Sequence, residues 1–177
     1  TYLQTTSWTC GLSSIASVLE WYGVRDGLND LDLAALRGAK DGDQFARGTD
    51  LDEMVNVFHK LTDLGITGEW DIITSDDKDG AELLYDPEWI QNQLKEGHPI
   101  VGWNSYGAHY QTIIGYDNMG TEDTLDDVLI IMDPYDTTDQ DNDGYTIESY
   151  ERLSSGLFTM DSEVSGTKFI TAAPAEG

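Results

Sequence analysis

Apolar residues recur at helical spacing through the first half of this chain and at alternating spacing through the second, with the change of period close to Gly97. Leu12, Ile15, Ala16 and Leu19 share one helical face, with Ser7 or Thr9 available as a cap and Gly23 as a left-handed terminator. A shorter helix is expected from Leu31 to Leu36. A third is expected from Asp50 to Leu61, capped by Thr49 with Asp52 completing the box. Asp86-Pro87 opens a fourth helix that carries Trp89, Ile90 and Leu94 inward and stops at Gly97. Strand-like runs follow at Pro99 to Trp103, Tyr110 to Tyr116, Val128 to Met132 and Lys168 to Thr171. The Gly65 to Thr74 segment can supply one more strand, and a short helix is expected around Ile147 to Leu153 within an acidic turn region. Helices first and an antiparallel sheet afterwards predict an α+β fold rather than a βαβ series.

A chain of 177 residues suits one domain, since folding at this size buries roughly 70% of the surface that the unfolded chain exposes. The expected domain covers residues 1–172, and the small, polar residues 173–177 read as a tail or the start of a linker. With Thr1 in first place, the chain reads as a fragment or a processed product. Nine basic residues against 34 acidic ones give a net charge of −25, a field that repels phosphate backbones and anionic lipid. Nucleic acid is therefore not an expected partner. No apolar run is long enough for membrane insertion. Scarce lysine with abundant aspartate suits a high-salt, extracellular or cell-surface setting, where ions screen self-repulsion.

The single cysteine excludes an intramolecular disulfide, leaving Cys10 as a small buried hydrophobe, a reactive thiol or an intermolecular link. Its place at the start of the first helix favours reactivity, because unpaired N–H groups and the positive dipole end stabilise a thiolate. Gln4, six residues earlier, is close enough for its amide to converge with the Cys10 backbone N–H on an oxyanion, although a loop glutamine is ordinarily just polar surface. His109 opens a strand whose alternate residues are apolar, where a base or a structural histidine can equally stand. Asp133-Pro134 follows the apolar run Val128 to Met132, so its carboxylate can either orient His109 or simply begin a turn.

Gln4 through Gly11 (Gln-Thr-Thr-Ser-Trp-Thr-Cys-Gly), the helix to Trp21-Tyr22-Gly23, the His109 to Asp117 strand and Ile130-Ile131-Met132-Asp133-Pro134 occur in one order along the chain. This ordered set resembles the papain-like cysteine peptidases. It is most similar to free-standing relatives of the bacteriocin-processing, double-glycine peptidase family. The resemblance implies N-terminal helices packed on a C-terminal antiparallel sheet. It also implies a thiol peptidase acting on a peptide or protein, with Cys10 as nucleophile, His109 as base, Asp133 as orienting acid and Gln4 as oxyanion donor. Such catalysis requires no cofactor. The same residues would serve an acyltransferase or transpeptidase in which an amine replaces water as acceptor.

Asp139, Asp141 and Asp143, followed by Gly144, have the spacing of the first half of an EF-hand loop. Tyr150 stands where a bidentate Glu belongs, so a calcium site would use the neighbouring Glu151; the plain alternative is an acidic surface turn. A rival from another class is a catalytically idle, calcium-stabilised extracellular binding module using Trp8, Trp103 and Tyr106. His59, on the polar side of the third helix, and His98, in a Gly-His-Pro turn, read as solvated, and their spacing gives no zinc site.

Overall fold

The computed structural model describes residues 2–37, 48–104, 109–135, 143–153, 159–160 and 166–176. Three helices come first: α1 (Cys10–Trp21), α2 (Asp30–Leu36) and α3 (Leu51–Asp63). The strand β1 (Trp70–Thr74), a 3-10 turn (Gly80–Tyr85) and α4 (Pro87–Lys95) follow. The rest is mainly sheet: β2 (Ile100–Asn104), β3 (His109–Asp117), β4 (Val128–Met132), β5 (Tyr145–Ser149), the single turn α5 (Tyr150–Arg152), a small ribbon of β6 (Thr159–Met160) and β7 (Gly166–Thr167), and β8 (Phe169–Pro174). Six strands form one sheet in the order β1-β8-β2-β3-β4-β5, with every pairing antiparallel. The α+β expectation holds.

The period-2 alternation of the strands divides the core between the two faces of the sheet. Val101, Tyr110, Ile170 and Ala172 pack with Leu12, Ile15 and Leu19 of α1, Leu33 of α2 and Met54, Val57, Phe58 and Leu61 of α3. Ile100, Ile113, Leu129, Ile131 and Phe169 turn the other way, onto Ile90 of α4, Leu84, Tyr150 and Leu153. The N-terminal helices thus cover one face and α4 the opposite one. α1 is the central helix, buried along its length from Cys10 to Leu19. It lies close on β3: a Cβ at Gly11 would sit 3.1 Å from the Tyr110 ring and 3.2 Å from Thr49, so a side chain there would lift the helix start away from the sheet. No helix among the described residues is long and apolar enough to cross a membrane.

Several local expectations are corrected. Neither Ser7 nor Thr9 caps α1: the helix has no side-chain cap bond, and the Thr9 hydroxyl lies 2.9 Å from that of Thr6. α3 is capped one residue later than expected, by Asp50 with Glu53 closing the box, because the Thr49 hydroxyl accepts from Arg37 at 3.1 Å. Residues Tyr145–Ser149 are strand rather than helix, since pairing Ile147 with Ile130 extends the sheet; only Tyr150–Arg152 turn helically, capped by Ser149. β8 runs on to Pro174, because Ala173 pairs with Asp71 and is 8% exposed, so the first residues of the expected tail belong to the sheet. The β6–β7 ribbon has no counterpart in the sequence reading.

Candidate active site

Cys10, the first residue of α1, is 7% exposed. With no side-chain cap from Thr9, the positive end of the helix is left to act on the Cys10 thiol beside it. The segment leading into it is held by Asp30, the first residue of α2, which is fully buried. The Asp30 carboxylate accepts from the Thr5 N–H at 2.8 Å, the Thr5 hydroxyl at 2.8 Å, the Tyr2 hydroxyl at 3.2 Å and the Ser13 hydroxyl at 3.4 Å. Burial would raise this carboxyl, but the bonds from Thr5, Thr9 and Tyr2 hold it below its ordinary value. Nothing in the spacing of Tyr2, Thr5 and Asp30 signals the anchor in advance, because its donors come from a separate segment.

His109 begins β3, paired with Asn104 at the edge of the β2 ladder. Its Nε2 is hydrogen-bonded to Oδ1 of Asp133, the residue just past β4, and its ring is electrostatically coupled to the Cys10 thiol. With Nε2 on the carboxylate, Nδ1 is the nitrogen left for sulfur. Asp133 is 1% exposed; its Oδ1 also accepts the Tyr135 N–H at 2.9 Å, and its Oδ2 accepts Nε2–H of Gln111 at 2.7 Å. The Tyr135 ring stands edge-on to His109, 6.3 Å between centroids. The structure therefore places Cys10, His109 and Asp133 near one another, with His109 and Gln111 both bonded to Asp133. The signal for Gln111 was its position two residues beyond His109, on the same face of the strand.

The electrostatics of the three groups are mutually consistent. Burial would raise the Cys10 thiol, but the bond to His109, the backbone bond from Tyr110, the field of His109 and the Gly11 N–H together bring it below its ordinary value. Burial would lower the His109 imidazole, yet its bonds to Asp133 and Cys10 lift it from 6.5 to about 9. Burial would raise Asp133, and the contacts with His109, Tyr135 and Gln111 hold it low. All three shifts run toward the charged forms, a thiolate, an imidazolium and a carboxylate in sequence.

Gln4 is tied to the turn beside Asp133 by its backbone and bonds within its own loop through its side chain. Its backbone N–H donates to the Pro134 carbonyl at 2.8 Å, tying the N-terminal segment to the turn that carries Asp133. Its side-chain Nε2 rests on the Thr6 carbonyl, while Oε1 is buried without a partner. His59 is exposed, and Nδ1 of His98 lies 3.2 Å from Gln93 Oε1, so neither joins the site. Trp8 is half-buried beneath the Arg37 guanidinium at 5.7 Å, and Trp103 packs edge-on to Tyr110 at 4.9 Å, which makes both wall rather than free surface. Tyr106 lies outside the described residues, as do Asp139 and Asp141 of the expected calcium loop. Asp143 Oδ1 accepts the Tyr145 N–H at 3.0 Å, Glu151 is exposed on α5, and no cluster of His, Cys, Asp and Glu among the described residues is arranged to hold a metal ion.

No curated protein is significantly similar to the chain. A crystal structure of a candidate C39-like peptidase from Bacillus anthracis shares its architecture, with a TM-score of 0.52 over 100% of this chain and 96% of that one, at 14% sequence identity. The model of the Peptidase_C39 like family matches residues 1–156, a span that includes α1, β3 and β4. The chain therefore belongs to the Peptidase_C39 like family, and its helices and antiparallel sheet are the α+β fold of papain-like peptidases.

Proposed function

We propose that the chain is a cysteine peptidase that hydrolyses a peptide bond in a peptide or protein through an acyl-enzyme thioester. The observation that carries this reading is the hydrogen bond of His109 to Asp133 beside the buried Cys10, with the thiol lowered and the imidazole raised. The Cys10 thiolate attacks the carbonyl carbon and forms a tetrahedral adduct. The oxyanion is received by the Cys10 backbone N–H and by the Gln4 amide, which gives up the Thr6 carbonyl when substrate binds. His109 then passes its proton to the departing amine, leaving a thioester on sulfur. Water attacks that thioester, His109 takes its proton, and the acid leaves with the thiolate restored. Asp133 keeps the imidazole oriented and offsets its charge in both halves of the cycle.

Cys10→Ala tests the reading. Turnover of a mixed peptide library should vanish, together with the covalent adduct that the parent chain forms with a peptide aldehyde, detected by intact mass. Undiminished turnover in Cys10→Ala would refute the nucleophile assignment.

A further inference from the structure

We infer that Gln111 is a positioning residue for this site: its side-chain amide fixes and keeps ionised the carboxylate that holds His109. The inference rests on the peptidase reading above. The pairing of Thr112 with Met132 sets Gln111 opposite Asp133 across the β3–β4 ladder. Gln111 is 2% exposed and Asp133 1%, so the 2.7 Å bond between them is made away from water. Asp133 has two oxygens with separate duties: Oδ1 takes His109 and the Tyr135 N–H, while Gln111 is the donor on Oδ2.

A buried carboxylate with one bare oxygen readily takes up a proton there, and the resulting O–H would no longer offset an imidazolium charge. A neutral amide prevents this without adding charge. A lysine or arginine at the same place would also satisfy Oδ2, but its charge would compete with His109 for the carboxylate. Among the described residues, the groups that face Asp133 and His109 are each other, the Cys10 thiol from α1 and the Tyr135 ring; Asp50 and Glu53 of α3 bear on Tyr110. Gln111 therefore acts on Cys10 at one remove, through Asp133 and His109.

The test needs no substrate. Gln111→Met keeps the length of the side chain and removes the donor. In the full 177-residue chain, the His109 titration followed by NMR should move down by about one pH unit, the tenfold change expected for loss of a hydrogen bond to a charged group. The pH at which Cys10 is half-reactive toward iodoacetamide should move up, since a less available imidazolium stabilises the thiolate less. A glutamine that only joins two strands would lower the melting temperature and leave both profiles where they were, and that result overturns the inference.

If Gln111→Met does not fold, Gln111→Glu keeps the shape and sets two carboxylates against each other. The pair should hold a proton well above the usual carboxylate range, so stability relative to the parent should decline from about pH 4 to about pH 8. A flat difference over that range overturns the inference as well. A parent chain in which Cys10 alkylates with an ordinary thiol profile would overturn the peptidase reading and the Gln111 role with it. A perturbed parent profile left unchanged by both Gln111 variants overturns the Gln111 role alone.

Discussion

Asp133→Ala removes in one step the acceptor on which the His109 ring, the Gln111 amide at 2.7 Å and the Tyr135 N–H at 2.9 Å converge. Burial acting alone would lower His109, and its bonds to Asp133 and Cys10 carry it from 6.5 up to about 9. The gap between those values, at about 1.4 kcal/mol for each pH unit, corresponds to roughly 3 kcal/mol in favour of the imidazolium. Asp133 supplies the larger of the two raising bonds, so most of that preference should disappear in the variant and the His109 midpoint should fall to about 6.5 or lower. Because the native value lies above the unfolded one, the contribution to stability is complete below about pH 6.5 and is lost as pH rises through about 9. The difference in unfolding free energy between parent and variant should therefore be greatest near pH 6 and should narrow by roughly 2 to 3 kcal/mol by about pH 10. What persists at high pH is the loss of the bonds that Gln111 and Tyr135 donate to Asp133, about 1 to 3 kcal/mol each. Urea unfolding at a series of pH values measures the difference, and the His109 Cε1 proton reports the midpoint directly. A difference independent of pH, or a His109 midpoint that does not move, would refute the coupling.

Gln4→Ala should lower turnover by roughly a hundredfold, the usual consequence of losing one oxyanion donor, and leave Cys10 alkylation unchanged. Equal loss of both would point to a displaced start of α1. If Asp139, Asp141, Asp143 and Glu151 hold calcium, it should raise the melting temperature more than matched magnesium does, and Asp141→Ala should abolish the excess. Equal stabilisation by both ions would reduce the effect to screening of the −25 charge.

The sequence was most informative where a local pattern and the tertiary structure obey the same rule. The apolar stripe of α1, the Asp86-Pro87 start of α4 and the alternation of β2, β3 and β4 are all of this kind, and they locate Cys10, His109 and Asp133 on their elements. The cap of α3 slipped by one residue because Thr49 is taken by Arg37, a contact between segments that periodicity does not register. Ile147 to Ser149 fit a helix as well as a strand by sequence, and only pairing with β4 decides for strand. The roles of Asp30 and Gln111 are not legible in the sequence for a related reason. Each is an ordinary polar residue whose importance lies in what another segment brings to it, Thr5 and Tyr2 in one case and Asp133 in the other. The bond of the Gln4 amide to the Thr6 carbonyl likewise depends on loop geometry and not on its six-residue spacing from Cys10.

The most direct test of the account is the rate of Cys10 alkylation by iodoacetamide as a function of pH, in the parent chain and in His109→Ala. With Cys10 the lone cysteine, the rate reports one thiol. In the parent, the interaction with His109 should place the reactive midpoint below that of an ordinary thiol. In His109→Ala, burial is left as the leading influence, and the midpoint should rise above that value. Coincident profiles for the two proteins would mean that sulfur and imidazole do not share a proton, and would contradict the assignment of Cys10 and His109 as a catalytic pair.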